Sequence, residues 1–159
     1  MIRVELNVNK ANVYNEVAKT TSYTGDKMTG DEGAYERIFT KDDDRLALER
    51  FWVEACNAVT DLLKQYIVEV SSQPESHCLE LDRNYEVKLD LSNSFDVNLT
   101  GSMETSLFSF FVMYIVAKWY KYTNKEEAES YAAEAAAMLD DVTSKLYYRK
   151  KPTRIIPNT

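Results

Sequence analysis

The chain has few of the residues that most often perform chemistry. It contains one histidine, His77, and two cysteines, Cys56 and Cys78. A zinc site needs three or four protein ligands, which His77 and its neighbour Cys78 do not supply. Serines and aspartates are plentiful enough to form a triad with His77, but no nucleophile-elbow sequence supports one. We therefore expect His77 to be a loop histidine near a strand, and the chain not to be an enzyme.

The two cysteines also bear on the cellular compartment. They lie 22 positions apart, and neither belongs to a CxxC pair. A disulfide between Cys56 and Cys78 remains an alternative, but reduced structural thiols in a cytosolic protein are favoured. The stretch Met1–Glu5 alternates charged and apolar side chains, so we expect no secretion signal. Without such a signal, the N-glycosylation sequon at Asn98 is weak evidence that this residue is glycosylated.

Glycine is scarce, and three of the four glycines cluster in one polar stretch. Gly25 and Gly30 have the spacing of a phosphate-binding P-loop, but Asp31 and Glu32 stand where lysine and serine or threonine are needed. Two carboxylates there would repel phosphate. These glycines also do not follow a strand, as a dinucleotide-binding fingerprint requires. The composition of Thr24–Gly33 predicts a loop and no nucleotide site.

Acidic residues outnumber basic ones, 26 to 19, but they form no recognisable metal motif. Asp42–Asp44 lacks the alternate spacing and the glycine of a calcium loop. At a helix start, this triplet is explained more simply by the helix dipole, which stabilises negative charge there. A di-iron site would need Glu-x-x-His on two helices, and Glu126, Glu127 and Glu134 have no histidine near them. We expect no metal and no cofactor.

Length and composition indicate one soluble globular domain. The chain has 159 residues, of which 45% are hydrophobic and 28% charged, so it can bury a sizeable core. A net charge of −7 argues against general nucleic-acid binding. We predict a single helical domain at 1–151 with a small β insertion at about 78–99. An extended C-terminal tail is predicted at 152–159.

Hydrophobic periodicity predicts the elements of the first half. Ile2–Val8 alternates apolar and polar residues, as a half-buried strand does, and Asn9 can cap a helix that runs to about Thr20. Apolar residues three and four positions apart then predict the longest helix, Lys41–Val70, at about 45 Å. Pro74 prevents that helix from continuing.

Short alternating runs follow the long helix. They lie at Cys78–Leu81, Tyr85–Leu91 and Phe95–Leu99, and turn-forming residues separate them. These runs predict a two- or three-stranded antiparallel meander. The N-terminal strand is available to extend it.

Two long helices, predicted at Ser102–Tyr122 and Lys125–Lys150, dominate the second half. The first is apolar nearly all round from Leu107 to Ala117, which is typical of a helix at the centre of a fold or in a membrane. Lys118 interrupts the run before the 18 or so residues that a membrane span needs. We expect a core helix that lies between the long helix and the rest of the core.

The turn between these helices is short and offers two capping boxes, Thr123 with Glu126 and Asn124 with Glu127. A connection this short requires the helices to pack antiparallel. The predicted fold class is mainly α with a small antiparallel β-meander. Its architecture is an elongated helical bundle of one long helix plus a C-terminal helical hairpin.

Basic residues concentrate in two places, Lys118–Tyr122 and Lys145–Lys151 with Arg154. Both lie at the C-terminal ends of predicted helices, where positive charge complements the helix dipole. In an antiparallel hairpin they lie about 30 Å apart, too far to form one nucleic-acid groove. The second patch and the apolar residues after it are suited to dock on an acidic neighbour. The predicted partner-binding residues are Arg149, Lys150, Lys151, Arg154, Ile155 and Ile156.

Acidic helix starts on another copy of the chain would supply the complementary surface. The candidates are Asp42–Asp44 and the glutamates Glu126, Glu127 and Glu129. A contact between two different patches is head-to-tail, and it closes into a ring if the rotation between subunits permits.

The core helix ending Ala117–Tyr120, the short polar turn and the Ala/Glu-rich helix Glu126–Tyr148 resemble the helical hairpin of tailed-bacteriophage head–tail connector (neck adaptor) proteins. The resemblance covers about Gly101–Lys151 and rests on pattern, not on an invariant motif. It implies a non-enzymatic virion assembly protein that forms a homo-oligomeric ring next to the portal. Its implied partners are the portal or other neck proteins, with DNA contact at most indirect and no membrane. Its implied location is the virion, or the host cytoplasm during assembly.

Two other functions stay open at this stage. The chain could be a small intracellular adaptor or regulator that binds one protein partner through the hairpin. It could also be a hydrolase that uses His77. The first alternative predicts a monomer or dimer, and the second predicts an activity that depends on that histidine.

Overall fold

We analysed a computed structural model of the chain, which describes residues 1–27, 33, 40, 44–73 and 80–157. The elements are β1 (Ile2–Val8), α1 (Lys10–Lys27), α2 (Arg45–Leu63), β2 (Ile67–Val70), β3 (Tyr85–Leu91), a 3₁₀ turn (Val97–Leu99), α3 (Thr100–Thr123) and α4 (Lys125–Tyr147). The fold is mainly helical with a small antiparallel sheet, which confirms the predicted fold class.

The sheet has three strands in the order β1-β3-β2, and both pairings are antiparallel. The predicted strands at Ile2–Val8 and Tyr85–Leu91 are confirmed, and the N-terminal strand does extend the sheet. Its inner face is apolar and buried, with Leu6 opposite Val87 at its centre. Its outer face carries the charged residues of the alternating patterns. Two ion pairs cross between strands there, Arg3–Asp90 at 3.1 Å and Lys88–Glu69 at 2.9 Å.

Helix α3 lies at the centre of the molecule. It packs against α1, α2, α4 and β1, so its all-round apolar character has a partner on each side. The rings of Phe111 and Trp52 pack at a tilt of 41° with their centroids 4.6 Å apart, and Ile115 and Val116 are fully buried. Together with the turn before it, α3 is long and apolar enough to cross a membrane by length and composition, but core helices of soluble proteins meet the same criterion.

Helices α3 and α4 form the predicted antiparallel hairpin. Helix α4 packs mainly on α3, through a narrow seam with buried residues Ala128, Ala135, Val142 and Leu146. Most other positions of α4 are exposed. The predicted start of α4 is confirmed, but the helix ends at Tyr147 and not at Lys150. The proposed cap is wrong for Asn124, whose side chain makes no capping hydrogen bond to α4.

The predicted helix Lys41–Val70 is wrong at its C-terminal end. Helix α2 ends at Leu63, and Ile67–Val70 is the edge strand β2. The Asp90 amide donates to the Tyr66 carbonyl at 2.9 Å, which starts the pairing with β3. With 19 residues, α2 is about 28 Å long, so the element that made the predicted bundle elongated is shorter than expected.

Other boundaries also differ from the prediction. Residues Phe95–Leu99 are not a strand, because the Asp96 carboxylate accepts from the Asn98 amide at 3.1 Å and closes a 3₁₀ turn. Helix α1 continues past Thr20 to Lys27, so the first part of the predicted loop is helical. No strand is assigned at residues 80–81, which are the described part of the run predicted at 78–81.

Candidate interaction site

The sequence-predicted partner-binding residues begin where α4 ends, and Arg149 fastens that end. Its Nη1 donates to the carbonyl of Leu146 at 2.9 Å and to that of Tyr148 at 3.2 Å. Carbonyls in the last turn of a helix lack partners within the helix, and a nearby cation also suits the dipole. Arg149 therefore caps the end of α4, and its predicted role in binding a partner stays a prediction.

Two further contacts fix the base of the C-terminal segment. The Lys150 amide donates to the Ser94 carbonyl at 2.8 Å, which ties the segment to the loop after β3. One turn earlier, the Tyr147 ring packs edge-on against the Tyr66 ring at 6.5 Å. A hydrogen bond with Tyr147 raises the pKa of Tyr66. The segment therefore leaves the domain from a fixed point.

Beyond Lys150 the segment is solvated. Residues 151–157 have no helix or strand, and every one of them is exposed. Ile155 and Ile156 are 89% and 80% exposed, and together with Met1, at 87%, they are the three most exposed large hydrophobic residues in the described part of the chain. Among the described residues, neither Lys151 nor Arg154 forms an ion pair. Four of the six predicted residues, Lys151, Arg154, Ile155 and Ile156, are thus available to a partner.

The acidic residues predicted to receive this segment lie elsewhere. Glu126, Glu127 and Glu129 are exposed in the first turns of α4, and Asp44 immediately precedes α2. Asp42 and Asp43 lie outside the described residues. Helix α4 has 23 residues and is about 34 Å long, so its acidic start and basic end are separated by the length of the hairpin.

An apolar groove of about 630 Å³ runs along α3 between α2 and α4, and sequence reasoning did not find it. It is lined by Ala58, Phe110, Tyr114, Ala117, Lys118, Lys121, Lys125, Ala128, Glu129, Ala132, Ala135, Ala136 and Leu139. The groove exists because α4 packs mainly on α3 and because the alanine side chains of its wall leave the space beside them unfilled. The Ala/Glu-rich pattern of the predicted helix does not by itself reveal a third wall from α2.

Charge is unevenly distributed along this groove. Its three lysines, Lys118, Lys121 and Lys125, lie where α3 ends and α4 begins. Lys118 is compensated, because its Nζ lies 3.8 Å from Glu54 and 5.4 Å from the centroid of the Tyr114 ring. Burial, followed by the charge of Glu54, raises the pKa of Tyr114 to about 12. Glu129, four positions after Lys125, also lines this end. The end near the hairpin turn therefore carries a net positive charge, while the rest of the groove is lined by apolar side chains.

The opposite flank of α4 is locked to α3 by a polar cluster. The Ser106 hydroxyl and the Lys145 ammonium both donate to Oδ2 of Asp141 at 2.5 Å. Lys145 also donates to the Ser106 hydroxyl at 3.1 Å. The hydrogen bond from Lys145 and then that from Ser106 lower the pKa of Asp141. This lock holds α4 in place, and with it the wall of the groove.

A buried ion pair joins α1 to α2, and it too was missed from the sequence. Lys10 Nζ contacts Glu49 Oε1, and both side chains are fully buried. The Tyr14 hydroxyl donates to the other Glu49 oxygen at 2.7 Å, and Lys10 Nζ lies 5.6 Å from the Trp52 ring centroid. Burial raises the pKa of Tyr14 and that of the nearby Cys56 thiol. Each of these residues is buried, so the cluster fastens the core and presents no group to a substrate.

The other residues considered for metal binding or catalysis form no site among the described residues. Among the described residues, no group of three or more His, Cys, Asp or Glu side chains could hold a metal ion. His77, Cys78 and Gly30 lie outside the described residues, so the predictions made for them stay predictions. Gly25 lies in α1.

No protein-family profile, no curated protein and no solved structure matches the chain. The features of the chain that bear on its function are therefore the groove, the C-terminal segment and the sequence itself.

Proposed function

We propose that the chain is a non-enzymatic structural protein that assembles with copies of itself into a ring. Its class would be that of the tailed-phage head–tail connectors, with the ring lying next to the portal. One observation carries the proposal: the segment after Lys150 has a fixed base and a fully exposed end that includes Ile155 and Ile156. The hairpin pattern at Gly101–Lys151 supports the connector class.

The energetics favour a partner for this segment. Burying an isoleucine side chain contributes about 1.5–3 kcal/mol, so placing Ile155 and Ile156 in an apolar site would contribute roughly 3–6 kcal/mol. Part of this offsets the entropy of ordering the segment. Contact between this patch and a different patch on the next copy is heterologous, and a heterologous contact that closes gives a ring.

The experiment is to measure the mass of the full chain in solution by light scattering and native mass spectrometry. We expect a discrete oligomer larger than a dimer, alone or on addition of a portal ring. The double variant Ile155→Asp, Ile156→Asp should be a monomer. Tyr23→Asp is the matched control, because Tyr23 is a large exposed residue, at 63%, in α1 and away from the segment.

A full chain that stays monomeric at high concentration and ignores the portal would overturn the proposal. A stable complex with one unrelated protein would instead favour the adaptor alternative. The phage assignment has a separate test, because a connector gene is expected beside portal and capsid genes. Their absence from the gene neighbourhood would remove the phage assignment and leave the assembly role to the mass measurement.

A further inference from the structure

We propose that Ile155 and Ile156 of one copy insert into the apolar groove between α2 and α4 of the next copy. The inference rests on the proposed self-assembly, and it names both halves of the contact. The chain has an exposed pair of large aliphatic side chains and an apolar groove of about 630 Å³. A protruding apolar patch and a complementary pocket elsewhere on the same molecule form a head-to-tail contact.

The groove has the character of a binding site for aliphatic side chains. Its volume lies within the range of ligand pockets, about 300–1,000 Å³. Phe110 and Tyr114 form part of its floor, and Leu139 lines the end away from the lysines. Ala132 and Ala136 form a wall without bulky side chains, so an extended segment can approach the helix closely.

The segment is placed to reach a neighbour's groove more readily than its own. Ala136 lines the groove. Lys145 and Tyr148 lie on the other side of the hairpin, beside Leu99 of the 3₁₀ turn. Nine residues separate Ala136 from Lys145, which is about two and a half helical turns and places them on opposite flanks of α4. The segment starts on the Lys145 flank and would have to cross α4 to reach its own groove. From its fixed base at Lys150, it extends about 17 Å to Ile155.

Charge sets the direction in which the segment lies. Arg154 precedes the two isoleucines. At the hairpin-turn end of the groove it would be repelled by Lys121 and Lys125, whose positive charge Glu129 offsets only in part. The other end is lined by Leu139, which is followed by the exposed Asp140. The segment therefore enters at the Asp140 end, with Arg154 beside that carboxylate and the isoleucines further in.

Filling the groove tests the contact. Ala136→Trp places a large side chain in the groove, at an exposed position where the core is not disturbed. We expect it to weaken self-association on the order of 100-fold or more, as the loss of both isoleucines would. Ala137→Trp is the matched control, because Ala137 is exposed on the same helix and is not among the groove-lining residues. It should assemble like the unchanged chain.

A mixture of two variants that cannot assemble alone tests the groove contact more directly than either variant does. Ala136→Trp keeps its segment but lacks an open groove, and the Ile155→Asp, Ile156→Asp chain keeps its groove but lacks a competent segment. Each should be a monomer, and an equimolar mixture should give a 1:1 dimer and nothing larger.

The outcomes separate the two proposals. If the unchanged chain is a monomer with and without a portal ring, self-assembly itself is refuted. If the unchanged chain is an oligomer and Ala136→Trp is also an oligomer, only the groove contact is refuted. Failure of the mixture to form dimers would likewise refute the groove contact, with circular dichroism showing that both variants are folded.

Discussion

At the scale of single residues, the Lys10–Glu49 pair is the largest departure from an apolar core. Both charges are fully buried, and the cost of desolvating them is offset by their mutual attraction and by the hydrogen bond from Tyr14. The sequence offered little sign of the pair, because its members are 39 positions apart and a lysine after a helix-capping Asn9 resembles a solvated residue. Only tertiary packing of α1 on α2 brings them together.

Removing one partner of this pair should be costly. Glu49→Gln leaves Lys10 buried without its counter-charge, and we expect a loss of about 3–5 kcal/mol in the free energy of unfolding. The double variant Lys10→Met, Glu49→Leu removes both charges and should recover most of that loss. Urea unfolding measures both, in the Ile155→Asp, Ile156→Asp background so that association does not contribute.

The exposed ion pair of Lys19 with Glu16, at 3.9 Å, provides the control. Lys19→Met should cost less than about 0.5 kcal/mol, because exposed pairs contribute little. A loss for Glu49→Gln as small as that for Lys19→Met would contradict the assignment of the buried pair as a fastener of the core.

The lock between Asp141, Ser106 and Lys145 should be visible in the pH dependence of stability. The pKa of Asp141 is lowered in the folded chain, so its stabilisation is present above its unfolded pKa of about 3.9 and is lost as pH falls through the folded pKa. Asp141→Asn should destabilise by about 0.2–1 kcal/mol at pH 7, a small value because this side chain is 42% exposed.

The difference in the free energy of unfolding between Asp141→Asn and the parent chain should shrink as the pH falls below 4. Urea unfolding at pH 7, 5 and 3 measures it. Asp61→Asn, at an exposed position in α2, is the control for removing a carboxylate. A gap that stays constant down to pH 3 would show that the carboxylate charge does not contribute.

At the scale of elements, local signals predicted the hairpin and two of the three strands, because apolar periodicity and short turns determine them. The local signals gave the wrong element where pairing with a distant strand determines the secondary structure. Tyr66 and Val70 continue the helical spacing of α2, yet Ile67–Val70 is rich in β-branched residues and pairs with β3. The pairing of β2 with β3 outweighs the periodicity that α2 shares with this segment.

The start of α3 offers a test of backbone propensity. Gly101 lies in the first turn of α3, and a Cβ added there meets nothing within 4 Å. Gly101→Ala should therefore stabilise the fold by about 0.5–1 kcal/mol, because it reduces the freedom of the unfolded chain without steric conflict. Ala133→Gly, at an exposed position inside α4, should destabilise by a similar amount. Thermal unfolding measures both, and equal signs for the two changes would contradict the argument.

The candidate site was predictable in part. The basic and apolar residues after α4 stood out in an acidic chain, because their charge and their position past a helix end are local features. The capping role of Arg149 was missed, because its hydrogen bonds to the end of α4 depend on the conformation in which the chain leaves the helix. The groove could not be predicted, because Ala58 and Ala136 are 78 positions apart and meet only when α2 and α4 flank α3.

At the scale of the whole molecule, the three helices around α3 are packed unequally. Helix α3 is surrounded, whereas α4 has one main partner and exposes most of its surface. A contact with another copy would bury part of that surface and would place a segment where the monomer has a groove. The polarity of such a contact is set by the Lys121 and Lys125 end and the Asp140 end.

Charge reversal tests that polarity in the assembled protein. Arg154→Asp and Asp140→Arg should each weaken self-association by about 3–10-fold, a modest effect because the pair lies at an exposed rim. The double variant restores opposite charges in reversed order, and it should assemble nearly as well as the parent chain at low salt. All three effects should shrink as salt is raised, because exposed charges are screened. Sedimentation velocity across a concentration series measures the association constants. If the segment entered from the lysine end, Asp140→Arg would change nothing, Arg154→Asp would strengthen association, and the double variant would show no recovery.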